Sequence, residues 1–289
     1  MEVHERLSEE FPSYRANLLR IDEFTERSLR TGEAQRAMRK LITIPVVVHV
    51  VYNEAAENIS RSQINSQITV LNRDYRATNP DKSSVPGPWQ SLVGDSKVEF
   101  KLASRDPKGK QTDGITRTHT SRTSFGADDS VKKASTGGAA AWPADKYLNI
   151  WVCNLGSGLL GYAQFPGGPA RTDGVVILHS AFGTTGTVKQ PFHLGRSATH
   201  EVGHWLNLRH IWADTMGCGG SDHVGDTPNA TGPNYGKPAF PHVTCNNGPN
   251  GDMFVNYMDY VDDAAMFMFT TGQVGRMNAT LAGPRKSFA

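Results

Sequence analysis

The chain has 289 residues, enough for one large domain or for a catalytic domain with a short extra segment. Lys plus Arg (30) nearly balances Asp plus Glu (28), and no basic stretch is dense enough to suggest nucleic acid. The longest apolar run, residues 44–52, contains Pro45 and His49 and is far too short to cross a membrane.

The opening residues MEVHER are charged and lack the apolar stretch of a secretion leader. The protein either stays inside or is secreted with its leader absent from this sequence. Residues 1–40 are charge-rich and short of aromatics, and Leu18, Ile21 and Phe24 at helical spacing predict one amphipathic helix. Residues 30–40 read as an exposed linker, basic at Arg36, Arg39 and Lys40. Residues 1–40 are then either a solvated helix or a removable pro-segment ending at basic cleavage points. The compact domain is expected to span 41–289. Residues 44–52 are β-branched and nearly continuous, as a buried strand requires. Ser60 and Gln63 resemble a capping box, followed by a helix face of Ile64, Ile68, Leu71 and Tyr75 that ends at Asn79-Pro80. Further strands are predicted at 97–103, 147–153, 159–165 and 175–179. This order of strands and helices is α/β. Residues 211–270 are rich in Gly, Asn, Asp and Pro with little periodicity, and Thr271 is the expected cap of a last helix to Leu281.

Of the cysteines Cys153, Cys218 and Cys245, two could pair and one would be left over. Composition favours Cys218 with Cys245, because they flank a stretch with little apolar content that a bridge would constrain. Cys153, in an apolar run, reads as a buried free thiol. A bridge favours an extracellular setting.

The segment HEVGHWLNLRH, residues 200–210, carries the chemistry. On a helix, positions i and i+4 share a face, so His200 and His204 can address one zinc ion. Glu201 then falls beside a water rather than on the metal, placed to act as general base. On a straight helix His210 would lie about 9 Å further along the axis, so it joins the site only if the helix stops and the chain returns. Asn207 is the expected stopping residue, since Asn tolerates the left-handed conformation. Three protein ligands leave one position open, as in catalytic rather than structural zinc sites.

This elongated motif, with Asn256-Tyr257-Met258-Asp259-Tyr260 downstream, resembles the metzincin zinc peptidases, and among them the ulilysin-like bacterial and archaeal pappalysins. The resemblance covers about residues 41–281 and extends to residues 148–154, 161–166 and 232–235. It implies a twisted mixed sheet with an active-site helix, residues 41–210, above an irregular lower subdomain, residues 211–289. It implies that Met258 is the apolar floor beneath the histidines, that Tyr260 stabilises the oxyanion, and that calcium binds near Asp222, Gly225 and Thr227. Substrate would pair with an edge strand at Leu159 and Gly161. Some relatives prefer Arg or Lys after the cleaved bond, and Asp262 and Asp263 could make that pocket acidic. Relatives often carry a further cysteine near Ala265; its absence here fits a single bridge. Their pro-segment carries a cysteine that blocks the zinc, whereas this chain has none before Cys153, so no thiolate of its own N-terminus is expected to hold it latent. The reading is a secreted, monomeric zinc endopeptidase acting on proteins or peptides. Its alternatives are a catalytically silent zinc-binding protein of the same fold, against which intact Glu201 argues, and a zinc hydrolase acting on something other than peptides.

Overall fold

A computed structural model describes residues 2–32 and 40–289 of the chain. Strand β1 (Ile42–Tyr52) organises the sheet. One of its edges pairs in parallel with β2 (Val98–Leu102) along its first half and with β3 (Ile115–His119) along its second. Its other edge pairs in parallel with β4 (Leu148–Cys153), which pairs with β6 (Val175–Leu178). The short β5 (Gly161–Ala163) closes the sheet as its antiparallel edge. The expected strand at 159–165 is thus shorter but is the edge. Strand β3 was not predicted, because Ile-Thr-Arg-Thr-His is mostly polar and half exposed.

The unbroken apolar character of β1 follows from burial on both faces. Ile44, Val46, Val48 and Val50 join a core with Leu71 and Tyr75 of α3 (Arg61–Tyr75) and Val202 and Trp205 of α4 (Arg196–Trp205). That core runs on without a break into Met253, Met258 and Phe269, and into Met277 of α5 (Thr271–Ala282). The irregular lower part is therefore packed against the upper part rather than tethered to it.

Three boundaries differ from expectation. The Ser60 hydroxyl caps α3 by accepting from Gln63 N, but the Gln63 amide donates to the carbonyls of His179 and Phe182, so the box is half made. Helix α3 ends at Tyr75, ahead of Asn79-Pro80, because Ala77 takes a positive φ of 49°. The cap of α5 is Thr270, one residue earlier than expected, with a full reciprocal box to Gln273.

The N-terminal part forms two helices, α1 (Glu2–Glu10) and α2 (Pro12–Thr31), not one. Arg30 belongs to the last turn of α2 rather than to a linker; Arg36 and Arg39 lie outside the described residues. Nor are these helices simply solvated. Val3, Leu7 and Tyr14 are buried with Val51, Trp151, Cys153 and Val176 against the second face of the sheet. Asp22 accepts from both Arg209 (2.9 Å) and Arg276 (2.6 Å). The Cys218–Cys245 disulfide is present, with Cα atoms 5.7 Å apart, and Cys153 is a buried free thiol.

Candidate active site

Helix α4 carries His200 and His204 one turn apart, and its ending places the third histidine. Asn207 adopts φ 72°, its N–H donates to the His204 carbonyl, and Leu208 N–H donates to Gly203 O. These two bonds form a Schellman stop, which satisfies carbonyls that a helix end would leave open. Arg276 of α5 donates to the Asn207 carbonyl at 2.7 Å and pins the turn. The chain then reverses and brings back His210, whose Nε2 lies 3.1 Å from that of His200 and 3.0 Å from that of His204.

Each Nδ1 in this triad faces an acceptor: the carbonyl of Tyr257 for His200, the carbonyl of Leu208 for His204, and the carboxylate of Asp214 for His210. Since these oxygens only accept, each Nδ1 carries the hydrogen and each Nε2 presents a lone pair. Burial pushes the His200 imidazole down to about 4 and the other two well below their usual range, so all three are neutral at physiological pH. Three buried lone pairs converging on one point repel unless a cation lies between them. Nitrogens about 2.0–2.1 Å from a tetrahedral zinc stand about 3.3–3.4 Å apart, close to the spacing found. Among the described residues, these histidines are the group of three or more His, Cys, Asp or Glu side chains that could hold a metal.

Met258 is fully buried against α4. A Cβ on Gly203 would lie 2.5 Å from the Met258 sulfur, so the glycine is what lets the methionine close against the helix. Asn256 fixes this turn by accepting from Met258 N, while its side chain pairs with Gln273 in the α5 capping box. Tyr260, two residues on, is 39% exposed toward the cleft, with its ring 4.8 Å from that of His210. Burial of its hydroxyl, with Glu201 nearby, raises its pKa, so it remains a hydrogen-bond donor.

Glu201 is buried between the triad and β5. Gly161 admits it, since a Cβ there would meet Glu201 Cγ at 2.9 Å and the Val176 carbonyl at 2.8 Å. Burial pushes the Glu201 carboxyl up to about 8. A cavity of about 370 Å³ opens beside it, lined by Leu159, Gly161, His200, Glu201, Tyr260 and Asp263 among others. Asp263 is also the anchor of α4, accepting from Leu194 N and Arg196 N. Asp262 is not part of this lining.

The expected calcium ligands gain no support. Asp222 already accepts from Thr227 Oγ1 and Val224 N, and Gly225 is exposed nearby. His223 stays outside the triad. Missed from the sequence were Asp214, Trp212, whose ring stacks on His210 at 4.2 Å, and Asp259, which accepts from Tyr260 N and Asn234 N. Only the position of Asp214, four residues after His210, hinted at any of them.

The second cavity at the triad is smaller, about 100 Å³, and is lined by Val3 and His4 of α1 together with Glu201, His204, His210 and Tyr260. The N-terminal segment thus lies against the candidate centre.

Comparison with known proteins gives concordant matches. A peptidase family model described as Pregnancy-associated plasma protein-A matches residues 132–282. An extracellular metalloprotease of Arthroderma benhamiae is 33% identical over 264 residues, covering 88% of this chain and 84% of that protein. Mature mirolysin of Tannerella forsythia, in complex with a cleaved peptide, is 53% identical with a TM-score of 0.84, covering 86% of this chain and 96% of its own. A promirolysin mutant of the same organism is 48% identical with a TM-score of 0.89, covering 99% and 94%.

Proposed function

The chain belongs to the pregnancy-associated plasma protein-A (pappalysin) family of metzincin metallopeptidases and is a zinc-dependent endopeptidase, and from that premise we propose which residues do the work. His200, His204 and His210 hold the zinc, and the observation that carries this assignment is the convergence of their three buried Nε2 lone pairs. Bound zinc supplies Lewis acidity, lowering the pKa of a water to about 7 and polarising a carbonyl. Glu201 takes the proton of the attacking water and passes it to the leaving amine. Burial raises the pKa of this carboxyl, and a nearby cation lowers it. The Tyr260 hydroxyl, protonated and facing the cleft, donates to the developing oxyanion. Substrate lies extended along β5, an edge strand of the sheet, where main-chain hydrogen bonds add a strand.

Stripping the metal with a strong chelator is expected to abolish cleavage of casein, and one equivalent of zinc to restore it. Retention of full activity in a protein proven metal-free would overturn the assignment.

Asp263, in the cavity lining, supports a preference for Arg or Lys after the cleaved bond. Burial pushes its carboxyl up to about 6, which leaves it mostly charged at neutral pH. Asp263→Asn keeps an acceptor for the α4 amides and removes the charge. Peptide profiling is expected to show the Arg-over-Leu preference falling about tenfold, as for loss of ~1.4 kcal/mol of charge complementarity. An unchanged profile would remove Asp263 from this role.

Residues 1–40 act as a pro-segment, with the catalytic domain at 41–289 divided into 41–210 and 211–289. Two observations support this: α1 lies against the triad, and the pro form of the neighbour covers more of the chain than the mature form. That difference, 13% of 289 residues, is about 38 residues. Secretion is in keeping with relatives named extracellular metalloproteases and with the Cys218–Cys245 bridge, and no helix among the described residues is long and apolar enough to cross a membrane. Calcium near Asp222, Gly225 and Thr227 rests on family likeness alone. A melting temperature unmoved by calcium would dismiss it.

A further inference from the structure

The three histidines are not held alike. His200 and His204 sit on α4 and donate through Nδ1 to main-chain carbonyls whose positions the fold sets. His210 lies beyond the helix stop at Asn207, and its Nδ1 meets a side chain, the carboxylate of Asp214. The chain takes a costly path to bring that carboxylate there. Ala213 and Asp214 are both left-handed, with φ 60° and 55°, a conformation that an alanine rarely adopts. Ala213 N–H donates to the His210 carbonyl at 2.9 Å and closes the turn that folds Asp214 back toward the ring. The other carboxylate oxygen of Asp214 is buried without a hydrogen-bond partner, so the histidine is its principal polar contact. Trp212 covers one face of the His210 ring, 4.2 Å away and tilted by only 6°, and meets Tyr260 edge-on at 4.7 Å.

We propose that Asp214 is the positioning residue for the third zinc ligand. It keeps His210 in the Nδ1–H tautomer, turns Nε2 toward the other two histidines, and makes that nitrogen a stronger donor, while Trp212 is the plane against which the ring is set. A ligand carried on a turn lacks the rigidity of one carried on a helix, and an outer carboxylate supplies the orientation that the backbone does not. The inference rests on the assignment of zinc to the three histidines, and it concerns metal retention before it concerns turnover.

Competition for zinc between the full chain and a chelator of known affinity tests it. Asp214→Ala is expected to bind zinc about 10–100-fold more weakly than wild type, with Asp214→Asn, which keeps an acceptor oxygen but no charge, in between. The visible absorption of the cobalt-loaded Asp214→Ala protein should shift, while thermal unfolding of its metal-free form should match that of metal-free wild type. Should Asp214→Ala fail to fold, the Asn variant decides alone. Wild-type zinc affinity in the folded variant, or a loss of affinity matched by an equal loss of metal-free stability, overturns the proposal. A wild-type chain that binds no zinc, or a His210→Ala chain that binds it as tightly as wild type, overturns the triad itself and this proposal with it.

Discussion

Replacing Glu201 with Gln is expected to lower kcat on a peptide substrate by about 10²–10⁴-fold, the usual contribution of a general base, with the zinc content unchanged. Glu201 adjoins His200 in sequence but touches β5 rather than the space among the three Nε2 atoms, so its removal leaves the ligand set whole. Gln keeps the volume beside Gly161 and loses only the capacity to take a proton. Kinetics on a fluorogenic peptide, run with elemental analysis of the same sample, separates this from metal loss. A variant that retains more than a tenth of wild-type kcat would show that the proton goes elsewhere.

Freeing the cleft of the N-terminal helices is expected to raise kcat/KM on peptides by at least roughly tenfold, the factor for a segment that leaves the open state a tenth populated. Val3 and His4 line the cavity at His204 and His210, and Asp22 ties α2 to Arg209, which adjoins His210, and to Arg276, which donates from α5 to the Asn207 carbonyl of the helix-stop turn. Limited proteolysis between residues 32 and 42, followed by removal of the released peptide, measures the effect. Asp22→Ala provides the gentler version, an intact chain whose segment is held less firmly. Activity that stays level or falls after the peptide is removed would mean that α1 and α2 belong to the working enzyme. Their burial of Val3, Leu7 and Tyr14 against the sheet gives that outcome a physical basis.

The parts of the site that were legible beforehand follow local rules. His200, Glu201 and His204 obey helical spacing, and Asn207 could be named because few residues besides Gly accept a positive φ at a helix end. The strand at Gly161 was readable from its bounding glycines and its place at the sheet edge from the family resemblance, and the Cys218–Cys245 bridge was readable from composition. What escaped depends on the path of the chain through space. The carbonyls of Tyr257 and Leu208 that hold two of the histidines leave no trace in side-chain identity. The carboxylate of Asp214 reaches His210 only through two left-handed residues that no propensity favours. Helix α1 offered Val3 and Leu7 among charges, too few to announce that its apolar side would cover the sheet beside the cleft. Strand β3 was invisible for a similar reason, being a polar strand recruited by the unused half of one β1 edge.

On the proposed assignment, three neutral imidazoles meet at one zinc ion. Diffraction data collected on crystals of the zinc-loaded protein just above and just below the zinc absorption edge test it most directly. One strong anomalous peak is expected, lost below the edge, about 2.0–2.1 Å from Nε2 of His200, His204 and His210. A peak bound through fewer than these three nitrogens, or none among them in a fully zinc-loaded sample, would contradict it.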